Sequence, residues 1–258
     1  MANKKDLLGD RMKEYESIPK VRLMRKTPAI IRIDGKAFHS FTRGMVKPFD
    51  VILMGAMQRT MLDLCKNVQG CVFGYTQSDE ITLVLTDYRT INTDAWFGYV
   101  VQKMCSIASS MATTYFNLNF ASMVTNIATN NGQYKIDTYT PKFNKAMFDA
   151  RVFSIPKHEV CNCLIWRQQD AIRNSVQSVA HAYLGHSKSH GKSSEELKKV
   201  LMEEKNIEWG SYPVDCQRGA CCYKKEVDLG DGRVRHKWLL DNAPPIFTQN
   251  REYIEQWV

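Results

Sequence analysis

CVFGYTQSDEITLVLT, residues 71–86, consists of two β-rich runs, CVFGYT (71–76) and ITLVLT (81–86), parted by Gln77-Ser78-Asp79-Glu80. β-Branched and aromatic residues dominate both runs, and the polar quartet between them is a hairpin signal. Upstream, PAIIRID (28–34) predicts a short buried strand introduced by Pro28. Between strand and hairpin, FDVILMGAMQRTMLDLCKNV (49–68) carries Ile52, Leu53, Met57, Met61, Leu62 and Leu64 at helical spacing. Downstream, Asp94 is expected to start a long helix. Phe97, Val101, Met104, Ala108, Met111 and Tyr115 lie on one face, and Lys103, Ser106 and Ser110 on or near the other. AMFDARVFSIP (146–156) then predicts a strand closed by Pro156.

The order β-α-β-β-α-β predicts an α+β fold of the ferredoxin-like kind. Such a fold is a four-stranded antiparallel sheet with both helices on one face, here spanning roughly residues 1–156. Residues 157–258 read as a helical and hairpin extension. Within it, 157–185 predicts a long helix, and SSEELKKVLMEEK (193–205) a second with a Ser cap and a Glu pair in its first turn. Arg218 to Leu240 predicts a hairpin around Asp228-Leu229-Gly230-Asp231-Gly232.

Composition narrows the classes. The 258 residues are 44% hydrophobic and 24% charged, an ordinary globular balance that excludes disorder, collagen and coiled coil. The longest uncharged stretch, Met104 to Tyr134, is crowded with Ser, Thr and Asn, so no membrane span is expected. MANKKDLLGDRMKEYES lacks the apolar core of a secretory signal. Its Asp6, Asp10, Glu14 and Glu16 argue against an acid-poor transit peptide, so a cytoplasmic location is expected. Cys65, Cys71, Cys105, Cys161, Cys163, Cys216, Cys221 and Cys222 then read as thiols of a reducing compartment.

Candidate chemistry gathers at matched strand ends. Asp34 ends the first strand just before Gly35, and Asp79 and Glu80 occupy the hairpin turn. In the predicted sheet the first strand lies beside the hairpin, so these carboxylates converge on one edge. They repel unless a cation lies between them. Mg²⁺ takes carboxylate and carbonyl oxygens plus phosphates, and two such ions about 4 Å apart clamp an in-line phosphoryl displacement. The loop Gly35-Lys36-Ala37-Phe38-His39 lets backbone amides approach an anion, with Lys36 adding charge. Ser78 can donate to a phosphate oxygen, and Lys47 precedes the first helix, where an anion is favoured. There is no Walker pattern, and Cys161-x-Cys163, Cys221-Cys222 and His186-x3-His190 lack paired zinc spacing.

Lys plus Arg number 35 against 27 Asp plus Glu, a net charge of +8. Lys142 to Lys192 holds eight basic residues against three acidic, interleaved with Trp166, Tyr183 and four histidines. Composition alone leaves a nucleic-acid backbone partner and a solvated helix face equally open.

RIDGKAFHSFTRG (32–44), VKPFD (46–50), GYTQSDEITLVL (74–85), DARVFSIP (149–156) and WRQQDAIRN (166–174) resemble, in order, the tRNA(His) guanylyltransferase family of 3′–5′ RNA polymerases. The resemblance implies a polymerase-palm domain over 1–156 and a tRNA-contacting extension over 157–258. It implies that Asp34, the Gly35 carbonyl and Asp79 bind two Mg²⁺ ions, with Glu80 supporting them. Lys36, Ala37, Phe38, His39, Lys47 and Ser78 would hold a nucleotide triphosphate. It further implies tRNA, ATP and GTP as partners, other NTPs as substrates, and a homo-tetramer. Eukaryotic members continue into a His-Ile-Asn-Asn-Leu-Tyr-Asn motif tied to untemplated G addition. Here those positions read Ala171-Ile172-Arg173-Asn174-Ser175-Val176-Gln177. HGKSSEEL (190–197), NIEWGSYPVDCQRG (206–219) and PPIFTQNREYIEQW (244–257) resemble instead the bacterial and archaeal like-protein branch. The expectation is therefore templated repair of 5′-truncated tRNA. Untemplated G addition to tRNA(His), a palm-type nucleotide cyclase and an RNA-binding protein with a degenerate palm are the rivals.

Overall fold

Six strands form one antiparallel sheet in the order β4-β1-β3-β2-β5-β6. They are β1 (Ala29–Gly35), β2 (Cys71–Gln77), β3 (Glu80–Leu85), β4 (Phe148–Ser154), β5 (Ala220–Asp228) and β6 (Val234–Asp241). The computed structural model describes residues 7–128, 132–228 and 234–258. Of the turn expected at 228–232, residues 229–232 lie outside the described residues. The helices are α1 (Leu7–Ser17), α2 (Phe38–Phe41), α3 (Val51–Asn67), α4 (Val101–Ala128) and α5 (Ile136–Tyr139). They continue with α6 (Glu159–Leu184), α7 (His186–Ser189), α8 (Ser194–Lys205), α9 (Val214–Arg218) and α10 (Glu252–Glu255). Among the described residues no helix is long and apolar enough to cross a membrane.

The first four strands give the expected β4-β1-β3-β2 order, with α3 and α4 on one face. Alternation along the strands feeds two cores. Ile31, Ile33, Ile81 and Leu83 face α3 and α4, where they meet Ile52, Met57, Met61, Met104 and Phe116. Ile30, Phe73, Tyr75 and Val84 face the other way, onto Val160, Cys161 and Leu164 of α6. Residues 157–258 thus supply the helix on the second face and two further strands of the same sheet.

Local chemistry sets the helix ends. The Asp50 carboxylate caps α3 by accepting from Leu53 N at 3.0 Å, and it also accepts from the Tyr139 hydroxyl at 2.6 Å and Val46 N at 3.0 Å. Ser193 and Glu196 form a reciprocal capping box on α8. α4 begins at Val101, not at Asp94. Phe97, Gly98 and Tyr99 adopt left-handed backbone angles (φ 50, 56 and 57°), which an α-helix cannot pass through. Phe97 is consequently exposed, and the buried stripe runs through Met104, Ala108, Ala112, Phe116 and Phe120, leaving Met111 and Tyr115 only half-buried.

Candidate active site

Asp34 sits at the end of β1, in register with Glu80 of β3 on one side and Asp149 of β4 on the other. Residues directly opposite in an antiparallel pair share a face, so these three carboxylates form a row. Asp79 completes the group from the two-residue tip of the β2–β3 hairpin, where Ser78 takes a left-handed φ of 55°. The Gly35 amide donates to the Asp79 carbonyl at 3.1 Å, lacing the end of β1 to that tip. Burial pushes the Asp79 carboxyl above the ordinary range and the nearby Asp34 charge adds to the push, while a hydrogen bond from Ser78 opposes it. Two carboxylates repelling in this way suit a cation.

Glu80 is engaged differently. Its carboxylate accepts from Arg167 Nε at 2.6 Å and Nη2 at 2.8 Å, with Arg32 Nε at 4.0 Å. Arg167 also donates to Asp170 at 3.0 Å. The half-exposed Trp166 ring lies under both guanidinium groups, 4.5 Å from Arg167 and 5.5 Å from Arg32. Burial still raises the Glu80 carboxyl in spite of these cations. Among the described residues Asp34 and Asp79 are therefore the carboxylates of this group without a cationic partner, and Glu80 is the member fixed to α6. Among the described residues, no three His, Cys, Asp or Glu side chains converge as a metal cage. The donor chemistry nonetheless fits Mg²⁺, which takes one or two carboxylates and completes its shell with waters and substrate phosphates.

Beside the pair opens a cleft of about 420 Å³, bordered by Gly35, Ala37, Phe38, His39, Ser78 and Asp79. The expected loop is thus brought to the carboxylates, with one correction. The Phe38 side chain is buried and packs on Phe41, Phe116 and Phe148, so it anchors the loop in the core at the border of the cleft. The Lys36 amide is already donated to Met147 O at 2.8 Å, so only its exposed side chain can meet an anion. Lys47 is exposed and lies close enough to His181 that its charge helps lower that imidazole's pKa. A narrower hollow of about 110 Å³ adjoins the cleft at Leu53 and Ser78, with Asp50, Thr76, Asp215 and Gly219 among its borders. Gly219 (φ 82°) has no alternative there, because a Cβ would lie 2.5 Å from the Thr76 carbonyl oxygen.

Several residues here escape the sequence pattern. Asp50 is visible only as the polar residue before a helix, and the link between Glu80 and Arg167 spans 87 positions. The basic stretch 142–192 is also less free than its composition suggests. Arg151 pairs with Asp149, Arg167 with Glu80, Arg173 with Asp170 and Lys188 with Glu204. Cys65, Cys161 and Cys221 are buried thiols, each pushed up by burial.

A family model described as tRNAHis guanylyltransferase matches residues 9–156. The chain belongs to the tRNAHis guanylyltransferase family. It is accordingly a nucleotidyltransferase. A bacterial tRNA(His) guanylyltransferase-like protein in complex with ATP superposes with a TM-score of 0.84 at 37% identity, covering 97% of this chain and 98% of that one. A bacterial like-protein in complex with GTP gives 0.78 at 35% identity, covering 98% and 99%. An uncharacterised protein of Acanthamoeba polyphaga mimivirus is 34% identical over 230 residues, 85% of this chain and 77% of its own length.

Proposed function

We propose that the protein repairs the 5′ end of tRNA by adding nucleotides in the 3′–5′ direction, each selected by the opposing base. The observation that carries this is the nearness of the Asp34 and Asp79 charges, with Asp79 on the border of a nucleotide-sized cleft. The bacterial relatives that match nearly the whole chain are complexes with ATP and GTP. Asp34, Asp79 and the Gly35 carbonyl would hold two Mg²⁺ ions, which when bound neutralise phosphate charge and acidify an attacking hydroxyl. The side chains of Lys36, His39, Lys47 and Ser78, with the backbone from Ala37 to His39, would hold the triphosphate. Glu80, held by Arg167, keeps the end of β3 in place beside Asp34.

The chemistry runs in two displacements. The tRNA 5′-monophosphate attacks the α-phosphorus of ATP or GTP, and pyrophosphate leaves. The 3′-hydroxyl of an incoming NTP then attacks the activated 5′ phosphorus, its proton is lost, and AMP or GMP leaves. A homo-tetramer acting in the cytoplasm, with 1–156 as catalytic domain and 157–258 contacting tRNA, completes the proposal.

Templating is supported by positions 171–177. Ala171, Ser175 and Val176 are buried, and the Ser175 hydroxyl donates to Cys216 O at 2.8 Å and accepts from Trp209 Nε1 at 3.0 Å. Arg173 is held by Asp170 at 2.7 Å. Ala171, Arg173, Ser175 and Val176 are thus engaged within the protein, which leaves Watson–Crick pairing to choose the nucleotide. The test is a tRNA lacking its first nucleotide, with the partner base varied through all four identities. The added nucleotide should follow the complement and extension should stop when the stem is full. Addition of G whatever the partner base, or to tRNA(His) alone, would establish untemplated guanylyl transfer instead.

A further inference from the structure

The catalytic edge has two sides, and the nucleotide-sized cleft lies on one of them. Phe38 and Leu53, which border that cleft, belong to the core beneath α3 and α4. Side chains of β1 alternate and Ile30 faces α6, so Arg32 and Asp34 face α6 as well. An in-line phosphoryl displacement brings the attacking and leaving groups to opposite sides of the phosphorus. A nucleotide seated in the cleft therefore leaves the α6 side for the second reactant.

That side carries an aromatic surface. α6 packs on the sheet through Val160, Leu164 and Ala171, and Trp166 stands off that face with 48% of its surface exposed. The guanidinium of Arg167 lies 4.5 Å from the ring centre and that of Arg32 5.5 Å. Arg167 is itself fixed by two bonds to Glu80 at 2.6 and 2.8 Å, and Arg32 Nε lies 4.0 Å from the same carboxylate. The ring is thus one guanidinium away from Glu80, which stands opposite Asp34 in the ladder. A ring held in place this way loses little entropy when a ligand stacks on it. Covering the ion pair alone asks for an aliphatic side chain, and leaving half of an indole in water has a hydrophobic cost that such a cover avoids. Every base offers a π face, so the surface accepts any terminal nucleotide and leaves the choice of nucleotide to pairing.

We infer that Trp166 is the stacking platform for the terminal base of the RNA end that reaches the carboxylates over the α6 face. The inference rests on the proposed tRNA substrate and says where its 5′ end lies.

The test is a cycle between protein and RNA. The wild-type chain, W166L and W166F are titrated with a 5′-truncated tRNA and with the same tRNA carrying an abasic residue at its 5′ terminus. Leucine still covers the guanidinium groups but has no π face. W166L should bind the intact RNA roughly tenfold more weakly than wild type, and the two should bind the abasic RNA alike. W166F, which keeps a ring, should recover most of the loss, and the Kd for ATP should not move in either variant. A second reading does not depend on W166L folding. The part of the intrinsic fluorescence that W166F lacks should be quenched by the intact RNA and much less by the abasic one. An equal loss on both RNAs assigns Trp166 to holding Arg32 and Arg167 in place. That result, no loss on either RNA, or a Trp166 signal that neither RNA quenches overturns the inference and leaves the proposed function intact. A wild-type chain that extends no 5′-truncated tRNA overturns the proposed function itself.

Discussion

Replacing Gly35 by Ala adds one methyl group at the most crowded point of the active edge. A Cβ built on Gly35 falls 2.6 Å from Cε2 and 2.7 Å from Cγ of Phe38, where ordinary carbon contacts are about 3.5–4.0 Å. The ring must therefore retreat by about 1 Å. It has nowhere to go, since it is 4% exposed and its centroid already lies 4.9 Å from Phe41, 5.1 Å from Phe148 and 5.5 Å from Phe116. Overpacking of this kind typically costs about 1–3 kcal/mol, and confinement on three sides puts Gly35→Ala near 3. For a chain of this size that is roughly a 6–12 °C fall in melting temperature. If the backbone yields in place of the ring, the bond from Gly35 N to Asp79 O stretches and turnover falls as well. Urea denaturation of Gly35→Ala, Phe38→Leu and the double variant measures the clash directly. The smaller leucine side chain makes room, so the double variant should be about 1–2 kcal/mol more stable than the sum of the singles. Strict additivity, or Gly35→Ala within about 0.5 kcal/mol of wild type, would refute the packing described above.

Arg167→Met should destabilise by about 3 kcal/mol, because it strands the mostly buried Glu80 carboxylate; adding Glu80→Gln should restore much of the loss, and equal Cm values for the single and double variants in urea would contradict this. His181 is held below the usual imidazole range by burial and by His186 and Lys47. Below about pH 6.5 the unfolded chain then binds more protons than the folded one, so wild-type stability should fall on acidification from pH 7 to 5 more steeply than that of His181→Gln; parallel curves would show that the imidazole is unperturbed.

Much of this architecture is legible in the residues because it is local. The β-branched and apolar runs in 28–34 and 71–86 and the three-four spacing in 49–68 mark β1, the central hairpin and α3, and Ser193 announces its helix by its own side chain. The carboxylate pair is legible as well, since Asp34 and Asp79 end elements that must be neighbours in that order. What is not legible is long-range. Nothing near Ala220 states that β5 will pair with β2, because that register depends on Gly219 passing against Thr76. Phe38 reads as part of a ligand loop until the aromatic cluster from α4 and β4 is seen to enclose it. The basic stretch looks free until Glu80 is found opposite Arg167.

Asp34 and Asp79 carry the central claim, and each can be neutralised without loss of volume. Asp79→Asn removes a carboxylate that burial and the Asp34 charge already hold above the ordinary range. An acid raised in this way weakens the fold as pH rises through its titration, so at neutral pH the variant should melt at or above the wild-type temperature. In the same samples, nucleotide addition to a 5′-truncated tRNA in Mg²⁺ should drop at least about a hundredfold for Asp34→Asn and for Asp79→Asn. Stability kept with turnover lost is the predicted result; near-normal turnover in either variant would contradict the assignment of these two carboxylates to the catalytic metal site.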